Sequence, residues 1–217
     1  MGFGGGGSGS FVLPDHTHSS VLEDGGELER LVTKVDTETL EKFPAMQLLG
    51  TTTLGSANAN LNITSLSLSA DDYAYFEIVF ATKKTTGSAS SIVLQINGLS
   101  AASYSYEGEK NATGTITGFT ANAQTSFLLG DSSIATGDVN NHIVGTCKII
   151  LDPDTVGSDL PRFESGKIQA QWTTLSESNS GFYNAVVTTL TQVNLIYLDA
   201  DTHPTGSTIT LYGVKRS

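Results

Sequence analysis

His16 and His18 stand one residue apart in "PDHTHSSVLEDGGEL", residues 14–28. In an extended segment, residues i and i+2 point to the same side, so both imidazoles can face one partner or one axis. Imidazole suits zinc, iron or nickel. One chain supplies too few nitrogens for a closed zinc site. Copies meeting on a threefold axis would bring enough to surround one ion. Asp15 would then ligate the metal or orient a ring. The same residues also suit a second role, hydrogen bonding to a neighbouring protein, and a third, plain surface. Asp24-Gly25-Gly26 is a turn signal, without the alternating ligands of an EF-hand loop. Phe11, Pro14, Asp15, His16, His18, Asp24, Gly25 and Gly26 are therefore the candidate residues of an anchoring arm.

Two further clusters could hold calcium at a loop. "LDPDTVGSD" offers Asp152, Asp154 and Asp159; "YLDADTHP" offers Asp199, Asp201 and His203. The alternative is an acidic surface turn, with Pro153 setting the backbone of the first. Trp172, Tyr104, Tyr106 and Tyr183 are candidates for a sugar-stacking platform, since aromatic faces take apolar and sugar contacts. For Trp172, core packing is the competing role. Among these, Trp172 and Tyr183 are the candidate glycan contacts.

Catalytic patterns are missing. No G-x-S-x-G elbow is present, and no carboxylate pair stands in a glycosidase context. Gly2, Gly4 and Gly7 satisfy G-x-G-x-x-G, but no strand precedes them, so no dinucleotide site is expected. His142 follows "GDVNN" as a turn or rim residue. Cys147, the single cysteine, lies in the apolar run "IVGTCKIIL" and reads as a small buried hydrophobe. The chain is expected not to be an enzyme.

Composition narrows the partners. The 217 residues carry a formal net charge of −11, which attracts neither nucleic acid nor an anionic membrane. No apolar run approaches a membrane span, and the glycine-rich start departs from the pattern of a secretory leader.

The elements that must position these residues fall in two parts. Residues 1–44 read as an arm. "MGFGGGGSGS" has high chain entropy and little to bury, so a partner must order it. Glu27 to Phe43 fits an amphipathic helix, with Leu28, Leu31, Val32 and Val35 on one face. It fits extended structure equally, since Val32, Thr33, Val35, Thr37 and Thr39 favour strands. Pro44 ends either element.

From residue 45 to 217 the segments are short, rich in Thr, Val, Ile and Tyr, and separated by Gly, Ser, Asn and Asp. Strands are predicted near 46–54, 60–68, 73–82, 90–96, 102–107, 112–119, 124–130, 142–151, 165–174, 183–188, 192–198 and 207–214. A phase slip between Ile63 and Leu66 predicts a bulge or bend. In "YAYFEIVF", Ala74, Phe76, Ile78 and Phe80 form the core face. Asn97-Gly98 is a turn. Such spacing means an all-β protein, an antiparallel β-sandwich (jelly-roll) preceded by an extended N-terminal arm.

Three stretches carry a resemblance: "MQLLGTTTLGSANANLNITSLSLSADDYAYFEIVF", "SASSIVLQINGLSAASYSYEG" and the terminal "GSTITLYGVKRS". With the "DHTHSS…DGGEL" arm, the chain resembles jelly-roll virion structural proteins of tailed bacteriophages and archaeal viruses, of the tail-fibre, tail-tip, head-fibre or turret kind. Tyr212 and Gly213 match the closing pattern; Asn97, Gly98, Tyr104 and Tyr106 match the middle one. Residues 115–160 match no pattern of these proteins. The resemblance implies a virion location and a homo-oligomer, most often a trimer. It also implies docking onto other virion proteins through the arm, and exposed loops that touch a host surface glycan. The only cofactor expected is a metal ion, if His16 and His18 meet across subunits. The competing expectation is a free carbohydrate-binding, lectin-like β-sandwich.

Overall fold

The computed structural model describes residues 46–83, 90–112, 114–130, 142–151, 160–166, 168–170, 176–198 and 201–216. All fall within one unit, Ala45–Arg216. The arm residues Phe11, Pro14, Asp15, His16, His18, Asp24, Gly25 and Gly26 lie outside the described residues. So do Asp152, Asp154, Asp159, Trp172 and Asp199.

Alternating apolar residues form strands here, and no helix occurs among the described residues. The first strands are β1 (Met46–Thr53), β2 (Asn60–Ile63), β3 (Leu68–Ser69), β4 (Tyr73–Lys83) and β5 (Ile92–Ile96). Next come β6 (Tyr104–Ala112), β7 (Thr115–Gln124), β8 (Phe127–Gly130), β9 (His142–Ile150) and β10 (Arg162–Ser165). The last are β11 (Ile168–Ala170), β12 (Ser176–Tyr183), β13 (Thr189–Leu190), β14 (Val193–Tyr197) and β15 (Thr208–Lys215).

Every pairing is antiparallel, and the strands make two main sheets. The larger runs β1-β15-β4-β9-β10-β12-β6-β7, with β11 also pairing with β9 and β12. Thus β10 and β11 share one position in the sheet. They are parted near Gly166, whose N–H donates to the Thr146 carbonyl at 2.9 Å. The smaller sheet runs β2-β14-β5-β8, and β3 pairs with β13 alone. This is an antiparallel β-sandwich of the jelly-roll kind.

The core lies between the two sheets. Phe76, Ile78 and Phe80 of β4 face it, with Ile149 of β9, Phe163 of β10 and Leu211 of β15. Leu61, Ile92, Leu94, Phe127 and Leu195 meet them from the smaller sheet. Burying each such large side chain contributes about 1.5–3 kcal/mol. The aromatics pack in a chain: Phe127 stacks on Phe163 at 5.1 Å, Phe163 meets Tyr104 at 5.7 Å, and Tyr104 meets Tyr183 at 4.8 Å. Tyr104 also accepts the Ile96 N–H at 3.2 Å and donates to the Leu99 carbonyl at 3.3 Å. Cys147 is fully buried in this core, and burial pushes its thiol pKa up.

The slip after Ile63 is a bend. β2 ends there, Ser65 has a φ of 60°, and β3 begins at Leu68. Asn97 and Gly98 both have positive φ, 53° and 67°, and the Leu99 N–H closes the turn on the Ile96 carbonyl at 2.8 Å. That is the type I′ pattern. It does not close a hairpin here, because β5 and β6 belong to different sheets. The Asn97 side chain instead ties the turn to β13 and the residue after it, donating to the Thr189 carbonyl and accepting the Thr191 N–H, each at 2.7 Å.

Several strand bounds shift by a few residues, and one strand departs most from expectation. A strand predicted at 183–188 is found at Ser176–Tyr183. Its sequence, "SESNSGFY", hides the usual signal, because two of its inward residues are Glu177 and Asn179 rather than apolar ones.

Candidate functional site

Alternation along β12 builds the site. Glu177, Asn179 and Tyr183 point inward and are buried; Ser178, Ser180 and Phe182 point outward and are exposed. The outward row is therefore low, made of serines, and ends on an aromatic ring. Longer side chains rise on both sides. Arg162 and Glu164 of β10 are exposed on one bank, and Glu107 and Glu109 of β6 on the other.

Register fixes which groups face one another. Glu164 lies opposite Ser180, Ser180 opposite Glu107, and Glu107 opposite Thr120 of β7. One step along, Arg162 lies opposite Phe182, and Phe182 opposite Ser105. In the other direction, Ser178 lies opposite Glu109, and Glu109 opposite Gly118. The result is a trough with a serine floor and charged banks. It comprises two adjoining hollows of about 760 and 740 Å³ that share Glu107, Thr120, Glu164 and Ser180.

The trough rests on a fixed underside. The two hydrogens of Asn179 Nδ2 are shared among three acceptors at 3.1 Å, the Leu128 and Leu129 carbonyls of β8 and Glu177 Oε1. One inward side chain thus ties the larger sheet to the edge strand of the smaller one. Gly108 makes room for it, since a Cβ there would collide with Asn179 Oδ1 and crowd the Phe119 ring. Tyr106 packs edge-on against Phe127 at 6.0 Å, and burial, then the Glu177 charge, raises its phenol pKa.

The charge of the trough is mainly negative: Glu107, Glu109 and Glu164 against Arg162. Lys148, on β9, is held beside the trough rather than in it. Its Nζ lies 3.8 Å from Glu164 Oε2 and 4.6 Å from the Tyr75 ring centre.

Tyr183 is corrected as a glycan contact. It is 5% exposed and its ring packs on Tyr104, itself fully buried, so neither presents a face outward. The ring on the outer surface is that of its neighbour, Phe182, 40% exposed. Tyr106 also points inward. The loop-calcium reading of Asp201 and His203 is corrected too. His203 is fully buried, with Nδ1 2.9 Å from Thr82 Oγ1 and Nε2 3.0 Å from the Leu195 carbonyl. Both nitrogens are occupied, so the ring is no metal ligand. Among the described residues no group of three or more His, Cys, Asp or Glu side chains is placed to hold a metal. His142 is exposed at the start of β9, opposite Lys83.

Sequence reasoning passed over Glu107, Glu109, Arg162, Glu164, Ser180 and Phe182. The available signal was the small polar residue at every second place of "SESNS". It becomes legible only once β12 is assigned.

The molecule is thus a β-sandwich with a polar, acidic trough on the outer face of its larger sheet. No family model matches the chain, and no curated protein matches it. Among solved structures it is similar to the marine PL-14 alginate lyase from Aplysia kurodai. The identity is 10%, the match covers 81% of this chain and 91% of that one, and the TM-score is 0.35. A likeness at that level carries no argument about site or activity.

Proposed function

We propose that this chain is a structural component of a virion surface, of the tail-fibre, tail-tip, head-fibre or turret kind. Residues 1–44 dock it onto other virion proteins, and the sandwich projects outward as part of a homo-oligomer, with a trimer the expected form. The observation that carries this reading is an antiparallel sandwich whose larger sheet bears an open polar trough on its outer face, a surface suited to contact outside a particle. The sequence resemblance supports the same reading.

The trough also favours a second reading, a free carbohydrate-binding module. The two differ over particles. Virus particles purified on a density gradient from cells carrying the encoding genome should contain this chain at structural stoichiometry. Its absence from such particles, with the chain found free, would favour the second reading.

A further inference from the structure

We infer that the trough over β10, β12, β6 and β7 is a binding site for an uncharged glycan chain. The proposal extends the outward-facing role above to a class of ligand, and it can fail without that role failing.

Shape comes first. The floor runs along β12 from Phe182 through Ser180 to Ser178. At the usual strand rise those positions span about 14 Å, enough for a short oligosaccharide but not a mere ion. The floor is low because every outward residue but one is serine. The banks stand on the two neighbouring strands, each about 4.8 Å away in the sheet. A chain about one sugar ring wide fits between them along the strand direction.

Chemistry comes second. A glycan offers hydroxyls, which both donate and accept, and ring faces that are apolar. Carboxylates only accept, and a guanidinium only donates in a planar fork. Glu107 and Glu164 face each other across Ser180, so hydroxyls lying over that serine meet acceptors from both sides. Arg162 supplies donors at the Phe182 end. The half-exposed Phe182 ring is the one aromatic surface on the floor, and it lies between Arg162 and Ser105 in register. An apolar sugar face stacks there.

Charge decides the class. Three carboxylates stand against one guanidinium along the trough. The neighbouring cation, Lys148, pairs with Glu164 and offsets that carboxylate, so Glu107 and Glu109 carry the excess of negative charge over Arg162. The local field therefore repels a polyanion. A polyuronate or a sulfated glycan would bring its own charges against Glu107 and Glu109. An uncharged chain meets only hydrogen-bonding groups.

The full-length protein tests this on immobilised uncharged oligosaccharides, with a polyuronate as the charged comparison. Binding is expected to some uncharged chains and not to the polyuronate. Phe182→Ala and Glu107→Gln should each weaken that binding about tenfold or more. Ser180→Tyr, which fills the floor from an exposed position, should abolish it. Thr210→Ser, on β15 outside the trough, should leave it unchanged. Circular dichroism and a thermal melt confirm that each variant is folded. The proposal is overturned by preference for the polyuronate, by no binding to any uncharged chain, or by a folded Ser180→Tyr protein that binds like the parent. Incorporation into particles is read separately. A chain that incorporates but binds no glycan removes this inference alone, whereas one absent from particles removes the virion reading.

Discussion

His203 Nδ1 lies 2.9 Å from Thr82 Oγ1, deep between the two sheets. The sense of this bond follows from the other nitrogen. Nε2 sits 3.0 Å from the Leu195 carbonyl, which can only accept, so Nε2 carries the proton. Nδ1 then accepts from the Thr82 hydroxyl, and Ser207, 3.0 Å from Thr82 Oγ1, donates in turn. A short relay thus joins β4 to β14 across the core. In residue types it looks like catalytic machinery. With His203 fully buried, it acts as a bolt.

That bolt should weaken in acid. Burial holds the His203 pKa down to about 4, below the ordinary 6.5; its bonds and the Asp201 charge offset this only in part. Between those values the unfolded chain binds a proton that the folded chain does not. The contribution is complete above pH 6.5 and is lost as pH falls towards 4. Its full size is about 3 kcal/mol. Urea unfolding from pH 7 to pH 4, run beside His203→Gln, should show the gap between the two proteins shrinking as pH falls. A constant gap would refute this role.

Asn179 is a second tie between the two sheets. Asn179→Ala removes its donors from the Leu128 and Leu129 carbonyls and from Glu177. It should cost about 2–4 kcal/mol, since buried acceptors lose their partners and a cavity opens. Denaturant unfolding reads this directly. A loss under about 0.5 kcal/mol, the range of ordinary surface substitutions, would mean that Asn179 ties nothing.

Two glycines should respond in opposite ways to alanine. At Gly108 the added methyl collides with Asn179 Oδ1 and crowds the Phe119 ring, so Gly108→Ala should lower stability by about 2 kcal/mol or more. At Gly55 nothing lies within 4 Å, and Gly55→Ala should change stability by no more than about 0.5 kcal/mol. Paired thermal melts of the two variants give the comparison.

Cys147 should resist thiol reagents. It has no exposed surface, and burial raises its pKa, which withholds the reactive thiolate. Labelling at neutral pH should wait for unfolding and then proceed rapidly. Labelling of the native protein at the rate of a free thiol would show that the core opens around β9.

Much of the fold was legible because most strands obey simple alternation. "YAYFEIVF" shows its core face directly: Phe76, Ile78 and Phe80 are all buried. The slip after Ile63 marked a true bend at Ser65, and Asn97-Gly98 a true turn. The trough was not legible. It depends on β12, whose inward residues Glu177 and Asn179 are polar and meet their partners only in three dimensions. Without that strand's alternation, nothing in the sequence separated the buried Tyr183 from the exposed Phe182 beside it. The sandwich order, β9 beside β4 and β12 beside β6, also arises from pairing between distant segments. Local pattern says nothing about such partners.

The central claim is that residues 1–44 attach this sandwich to a virion. The most direct measurement compares incorporation of the full chain with that of residues 45–217, each expressed in trans during infection by virus lacking its own copy. The account predicts that the full chain is recovered in gradient-purified particles and the shortened chain, although folded, is not. Equal recovery of both chains would contradict it.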